Sequence, residues 1–312
     1  MTIMKLRTNQ NGMVLLMVLV IVALLSSLLV EFAFSTFVDL RLTETYRDAT
    51  RAYYLAKGGI RAGRMLLQDD KNNYDSLDEL WSQGITNYPV GDGNVSIHIE
   101  DQGGKLDLNQ IYSSTGLGPD GIDAPRMERL FQVLKLDDPA GLIDCLLDWI
   151  DPNDTPEPYG AEDQYYMSLD PPYHCKNGKL DSLDELALVK GFTPEVIAAI
   201  RPHVTVYGRT DHKININTAT AEVLMAYTDV APTIDRGEAE DIIALRNDRP
   251  FTTANIAEID NISGLQGVYR GDMDVTSPTY RIDSLALVND GARRVIAFIE
   301  KKGDKTLYLK VN

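Results

Sequence analysis

Residues 13–30 form a predominantly apolar run without a charged residue, and the first charge after Gly12 comes only at Glu31. As an α-helix rising ~1.5 Å per residue, the run reaches roughly 27 Å, close to the hydrocarbon thickness of a bilayer. A cleaved secretory signal is the alternative, but such signals have a shorter apolar core followed by a small-x-small site, and no convincing site follows Val30. The run therefore predicts a permanent single-pass anchor.

The flanks of the run predict its orientation. Lys5 and Arg7 precede it, and positive residues are retained on the cytoplasmic side of a membrane. We therefore expect everything after Val30 to be extracytoplasmic.

The formal net charge of −16 restricts the partners of this chain. Removal of a leader containing Lys5 and Arg7 makes the charge two units more negative. Such a surface repels phosphate backbones and anionic headgroups and attracts cations. The composition therefore argues against nucleic acid as a partner.

Periodicity divides the rest of the chain into a long helix, a sheet and a helical block. The three-to-four-residue period of apolar side chains continues past Glu31 to about residue 70. Alternating apolar and polar residues predict strands at 94–100, 293–301 and 305–311, with a further strand at 279–288, whereas the intervening block has helical periodicity. We predict an α+β fold with a long N-terminal helix packed on a small antiparallel sheet and a large α-helical domain inserted within the sheet. The predicted bounds are 13–70 for the helix, 71–104 with 274–312 for the sheet domain, and 105–273 for the inserted domain.

Gly58, Gly59 and Gly63 interrupt the amphipathic part of the first helix. Each costs about 1 kcal/mol relative to alanine in a helix interior, so their presence indicates a close approach by another element or a break in the helix. We favour close packing.

The helical block contains a faint repeat. Lys-Leu-Asp at 105–107, Lys-Leu-Asp at 179–181 and Lys-Ile-Asn at 213–215 each precede a capping residue and a helix. The repeat indicates a duplication, although three short matches in a long block could also arise by chance.

Two cysteines, Cys145 and Cys175, flank an acidic, proline-rich stretch. In an oxidising compartment an even pair suggests one disulfide, and two buried free thiols are the alternative. Calcium takes six to eight oxygen ligands from flexible loops and would neutralise such crowded carboxylates. The spacing is not that of an EF-hand, because Pro156 stands where that loop requires glycine. A calcium site and a merely solvated acidic loop both remain open on composition alone.

Catalytic motifs are lacking in the sequence. The four histidines show no zinc-ligand spacing, and there is no G-x-S-x-G motif, phosphate-binding glycine loop or C-x-x-C pair. We therefore predict that the chain is not an enzyme and has no catalytic residues. A calcium-dependent periplasmic hydrolase is a remaining alternative.

The stretch "ININTATAEVLMAYTDVAPTIDRGEAEDIIALRNDRPF" resembles the helix-hairpin-helix segments of DNA-uptake and repair proteins. In those proteins a glycine-bracketed hairpin presents backbone N–H groups to a phosphate. Here the connecting residues "TDVAPTIDRG" are acidic and lack the G-x-G hairpin. We interpret the likeness as shared packing, and a membrane-anchored helix-hairpin-helix protein of DNA uptake remains the alternative function.

A short basic leader ending in glycine, an apolar helix that becomes amphipathic, and then a sheet resemble a type IV pilin-like protein. Pilin-like subunits usually carry glutamate five residues into the mature chain, where this chain has Met17. The chain therefore resembles the protein K family of bacterial type II secretion, whose members are minor pseudopilins. The resemblance lies in this departure, in the inserted helical block and in the runs "LLDWID", "GAEDQYY" and "ININTATAEVLMA". The resemblance covers essentially the whole chain.

The resemblance implies a function in assembly. It implies that a prepilin peptidase removes residues 1–12 by cutting between Gly12 and Met13, and that the processed subunit is methylated. The implied partners are minor pseudopilins I and J and the major pseudopilin, at the tip of a periplasmic pseudopilus anchored in the inner membrane. An apolar residue at Met17 is consistent with a subunit that has no neighbour above it, or is simply tolerated.

The resemblance also implies a structural calcium ion in the long loop of the helical domain. Asp148, on the flank of a helix, is expected instead to hold structure. The ligands that we predict are Asp151, Asp154, Glu162 and Asp163, with Asn177 and Asp181 as further candidates.

Overall fold

The computed structural model describes residues 10–113, 118–227, 234–261, 273–303 and 305–312. The fold begins with α1, a helix of 60 residues at Gln10–Asp69. Nearly all side chains before Asp48 on this helix are exposed. Among the described residues, α1 is the one helix whose length and apolar composition suit a membrane span. The predicted continuous helix is therefore present.

A five-stranded sheet packs on the second half of α1. Its order is β1-β2-β7-β8-β9, and every neighbouring pair is antiparallel. Alternate side chains of the three central strands bury against one face of α1, as their period of two predicts. A short helix, α2, lies before the sheet. The bounds are Leu80–Gln83 for α2, Ile85–Val90 for β1, Gly93–Asp101 for β2, Thr279–Val288 for β7, Gly291–Glu300 for β8 and Lys305–Val311 for β9.

Two of the three helix glycines allow the close approach that the sequence indicates. A Cβ atom at Gly59 would overlap the hydroxyl group of Ser284, and one at Gly63 would lie 2.9 Å from a methyl group of Ile282. Gly58, in contrast, has no atom near its would-be Cβ. The helix is thus unbroken, and its axis lies close to β7 at Gly59 and Gly63.

The helical block enters the sheet between β2 and β7. The last residue of β2, Asp101, pairs with Tyr280 of β7, so the block leaves and returns at the same end of these strands. Together with the long helix and the antiparallel sheet, this confirms the predicted fold class. The bounds are Leu106–Asp107 for β3, Asp123–Val133 for α3, Pro139–Ile150 for α4, Asp163–Tyr166 for α5, Pro194–Ile200 for α6, Val204–Thr205 for β4, Ile214–Asn215 for β5, Ala221–Ala226 for α7, Arg236–Asp248 for α8 and Met273–Asp274 for β6.

The block consists of two units with the same plan. Each unit opens with a two-residue strand that pairs in parallel with a strand at its end, β3 with β4 and β5 with β6. Just after the opening strand, Asn109 exchanges hydrogen bonds with the backbone of Leu180, and Asn217 does the same with Phe251. The triplets at 105 and 213 therefore open equivalent units. The triplet at 179 lies inside the first unit.

Candidate functional site

The acidic loop follows α4 and is fixed at its start by the end of that helix. Asp151 is the C-terminal cap residue, with its N–H donating to the carbonyl oxygen of Leu147. The Asp151 carboxylate is buried and accepts hydrogen bonds from the backbone N–H and the side-chain amide of Asn153 at 3.1 and 2.8 Å. Burial and the nearby carboxylates of Glu157 and Asp154 raise the pKa of Asp151. A nearby cation would stabilise the ionised form of such a buried acid.

Glu162 is the strongest indication of a cation in this loop. The residue is 5% exposed, and within the described part of the chain neither carboxylate oxygen makes a hydrogen bond of normal geometry. Burial, followed by the negative charges of Asp148 and Asp151, raises its pKa to about 7. Buried carboxylates are normally hydrogen-bonded, paired with a charge or bound to a metal. The geometry of Glu162 therefore fits a metal ligand.

Asn177 and Asp154 lie side by side in the same loop and offer further oxygen ligands. The side-chain amide nitrogen of Asn177 donates to the carboxylate of Asp154 at 2.9 Å. The amide oxygen of Asn177 is buried and accepts no hydrogen bond from the described residues. The four side chains of Asp151, Asp154, Glu162 and Asn177 offer only oxygen atoms to a cation, which is the donor chemistry that calcium prefers.

The structure places the other two predicted ligands differently. Asp163 accepts from the imidazole Nδ1 of His174 at 2.8 Å and from the N–H of Cys175 at 2.7 Å. The hydrogen bond with His174 lowers the pKa of Asp163. Asp181 pairs with the ammonium group of Lys176 at 2.8 Å. Both carboxylates thus have partners within the loop, unlike the carboxylate of Glu162.

Asp148 holds the loop in shape, as the sequence leads us to expect. It is fully buried on α4, and its Oδ1 accepts from the N–H of Glu157 at 2.9 Å. A Cβ atom at position 160 would overlap its other oxygen, so the backbone of Gly160 lies directly against the carboxylate. Asp148 therefore stabilises the turn that leads to Glu162 and also contributes to the negative potential there.

The predicted disulfide between Cys145 and Cys175 is wrong for this structure, which contains both residues as buried free thiols. The sulfur of Cys145 lies 3.4 Å from the carbonyl oxygen of Tyr159, and that of Cys175 lies 3.4 Å from the carbonyl oxygen of Asp148. Each thiol thus has its own backbone acceptor. Burial raises the pKa of Cys145 to about 11 and that of Cys175 to about 12, so both are protonated at neutral pH.

Two carboxylate clusters outside the loop were not singled out in the sequence. In the first, Asp70 and Asp75 are 2.6 and 2.5 Å from the ammonium group of Lys301. In the second, Asp123 pairs with the imidazole of His212 at 2.7 Å. Each cluster thus contains a partner for its carboxylates, Lys301 in the first and His212 in the second.

The other functional surface is the exposed half of α1. Apolar side chains cover all sides of this half, and Met17, for example, is 66% exposed. An exposed apolar surface of this extent requires a lipid or protein partner. The leader residues 1–9, including Lys5 and Arg7, lie outside the described residues, as do residues 228–233 of the helix-hairpin-helix-like connection.

Comparison with known proteins accounts for this combination of features. Two family models described as type II secretion system protein K match residues 104–209 and 214–276, which together make up more than half of the chain. Their limits coincide with the two units of the helical block. The second model includes the stretch that resembles a helix-hairpin-helix segment.

Relatives with the same description extend the similarity to the anchor and the sheet. Type II secretion system protein K from Aeromonas hydrophila is 29% identical over 97% of this chain and 96% of the relative. The protein of that description from Pseudomonas aeruginosa is 28% identical over 78% of this chain and 75% of the relative.

A solved structure matches the fold. It is the crystal structure of the GspK-GspI-GspJ complex from the type 2 secretion system of enterotoxigenic Escherichia coli, one chain of which matches with a TM-score of 0.69 and 19% identity. The match covers 88% of this chain and 99% of that chain. With the family models and the full-length relative, it leads to one conclusion. This chain belongs to the protein K family of the type II secretion system.

Proposed function

We propose that this chain, as a minor pseudopilin, caps the periplasmic pseudopilus of the type II secretion system and helps to nucleate it. In this role the chain binds other subunits so that folded proteins are exported across the outer membrane. The residues of the acidic loop and of α1 serve the binding and assembly of subunits.

The position of the helical block is the observation that carries the proposal. Near the anchor, Asp48 of α1 lies against Gly291, the first residue of β8. Farther along α1, Gly59 lies against Ser284 and Gly63 against Ile282, so α1 runs antiparallel to β7. The block is attached at the Tyr280 end of β7, which is the end away from the anchor. We propose that a domain at that end blocks the addition of another subunit beyond this one.

The anchor helix supports the same role. After a prepilin peptidase cuts between Gly12 and Met13, the exposed apolar part of α1 would pack against the helices of the major pseudopilin and of minor pseudopilins I and J. Met17 offers no charge for the terminal amine of a subunit above it. Before assembly the same helix would hold the chain in the inner membrane with its folded part in the periplasm.

We further propose that the acidic loop takes up calcium through Asp151, Asp154, Glu162 and Asn177. Calcium would supply the positive charge that this oxygen-rich group lacks, in which Asp151 and Glu162 are buried. The chain itself prepares the group, because α4 fixes Asp151, and Asp148 holds the turn before Glu162. A loop ordered in this way would present a fixed surface to partner subunits.

Electron microscopy can test the cap. A C-terminal epitope tag on the full chain, labelled with gold on pseudopili sheared from cells that make all the pseudopilins, should appear at one end of each filament. Label distributed along the shafts would refute the capping role. Substitution Met17→Glu should reduce the number of filaments, because it places an unpaired carboxylate in the apolar helix. The matched control Met65→Glu lies on an exposed part of α1 outside the apolar run and should leave the number unchanged.

A further inference from the structure

A cleft separates the outer face of the sheet from the first helical unit. Its volume is about 530 Å³, within the range of roughly 300–1,000 Å³ that is usual for ligand sites. The half-buried side chains of Ile296, Phe298 and Tyr308 form its floor, and Leu183 and Pro202 lie on the opposite wall. The rings of Phe298 and Tyr308 are 6.2 Å apart between centroids. The cleft therefore offers an apolar and aromatic surface between two parts of the fold.

Cations outnumber carboxylates around this cleft. Glu100 accepts from both Lys105 and Arg281, at 2.7 and 3.3 Å. On the other side, one carboxylate is likewise shared by two cations, since Asp184 lies 3.0 Å from Arg201 and 2.7 Å from Lys310. Each pair of cations thus carries one positive charge more than its carboxylate neutralises.

The surplus persists when the neighbouring charges are included. Arg281 also pairs with Asp283 at 2.8 Å, but Asp283 is in turn shared with Arg294 at 2.7 Å. Although burial alone would raise the pKa of Glu100, Lys105 and Arg281 hold it below its usual range. Hydrogen bonds from Lys310 and Arg201 likewise lower the pKa of Asp184, so both carboxylates of the cleft are ionised at neutral pH and two positive charges remain uncompensated.

A positive cleft is unusual on a chain whose net charge is −16. The overall charge disfavours long polyanions such as nucleic acid or an anionic membrane, whereas two surplus charges suit a short anionic segment. The cations at the mouth are also accessible, because the side chains of Arg201 and Lys310 are 50% and 39% exposed.

We infer that this cleft binds an acidic peptide segment of a partner protein. A carboxylate of the segment meets Arg201 and Lys310, and an adjacent apolar or aromatic side chain lies on Phe298 and Tyr308. Lys105, whose side chain is only 12% exposed, fixes Glu100 behind the occupied surface. Since the walls come from the sheet and the helical block, an occupant also contacts both parts of the fold at once.

The experiment uses the full chain in detergent micelles and a fluorescein-labelled peptide, Gly-Asp-Phe-Glu-Gly with blocked ends, followed by fluorescence anisotropy. A second peptide with Asn and Gln in place of the acids is the control probe. We expect the acidic peptide to bind about tenfold more tightly than the neutral one. Equal affinity for the two peptides would overturn the inference.

Protein variants test the site itself. Arg201→Gln should weaken binding of the acidic peptide about fivefold or more, since it removes an accessible cation of the cleft. Arg293→Gln makes the same charge change on an exposed residue that does not line the cleft, and it should leave the affinity within about twofold. Equal effects of the two substitutions would contradict a specific site.

Photo-crosslinking decides the question even if Arg201→Gln lowers the melting temperature. The same acidic peptide with benzoylphenylalanine at its centre should crosslink the unmodified full chain at Ile296, Phe298 or Tyr308. Mass spectrometry locates the adduct. Adducts confined to other parts of the chain would refute the inference.

Discussion

The substitution Glu162→Gln should stabilise the calcium-free protein at alkaline pH. Burial and neighbouring carboxylates raise the pKa of Glu162 from 4.5 to about 7. At about 1.4 kcal/mol per pKa unit, the ionised side chain costs the folded state roughly 3 kcal/mol. Glutamine removes this charge and with it the repulsion from the carboxylates of Asp148 and Asp151.

The effect should disappear at acidic pH. Between pH 4.5 and about 7 the folded protein retains a proton on Glu162 that the unfolded chain has released. The contribution of Glu162 to stability therefore falls as the pH rises through this range and is unchanged below it. In EDTA, the variant should exceed the unmodified protein in free energy of unfolding at pH 8 and match it near pH 4.

Calcium should largely remove the difference between the two proteins. At a hundredfold excess over its dissociation constant, calcium stabilises a protein by about 2.7 kcal/mol. The unmodified protein should gain this stability, and the variant, which lacks the charged ligand, should gain much less. Magnesium should have a smaller effect on both proteins, because it requires a tight octahedral shell.

Calorimetry of the full chain in detergent, with and without EDTA, measures these differences. The control Glu240→Gln makes the same change on the exposed surface of α8 and should alter the free energy of unfolding by less than about 0.5 kcal/mol under all conditions. If Glu162→Gln matches the unmodified protein in EDTA at pH 8, Glu162 does not carry a buried charge. If it retains the full calcium shift, Glu162 is not a ligand.

Four other substitutions test the fold and the processing of the chain. Gly58→Ala should stabilise the protein by up to about 1 kcal/mol, whereas Gly59→Ala should destabilise it by about 1–3 kcal/mol, because the added Cβ overlaps a side chain of the sheet. Denaturant unfolding that ranks the two variants in the opposite order would contradict the packing of α1. Lys301→Met should cost about 3 kcal/mol, since it leaves the buried carboxylate of Asp75 unpaired, and unchanged unfolding would disprove the importance of that pair. Gly12→Leu should leave the leader attached in intact-mass spectrometry and abolish secretion, and normal processing would refute the cleavage site.

Periodicity made the main elements of the fold predictable. The run from residue 13 to about residue 70 and the alternation in β2, β7, β8 and β9 are local patterns with long, regular periods. β1 was missed, because it contains Pro89, is exposed on nearly every residue and shows no alternation. The pairing of β2 with β7 joins distant parts of the sequence and could be inferred only from the helical character of the intervening block.

The acidic loop was predictable in composition and less so in detail. Asp163 and Asp181 are indistinguishable from Asp151 and Asp154 as letters in a sequence. Their different surroundings depend on side chains such as His174 that the folded loop brings alongside them. The prediction of a disulfide was wrong for a related reason. The number of cysteines in a sequence does not reveal which backbone carbonyl group each thiol contacts.

The separation of β2 from β7 by the inserted block has a consequence for how the chain folds. Asp101 and Tyr280 are direct neighbours in the sheet, but residues 102–279 must be exported before they can meet. Because closing so long a loop is entropically costly, compaction of the two helical units should come first and bring the two strands together. Until then the face of α1 that carries Ala56 and Ile60 has no sheet to cover it. A newly exported chain therefore depends on rapid folding of its insertion, and slow folding there would expose that face to aggregation before any filament could form.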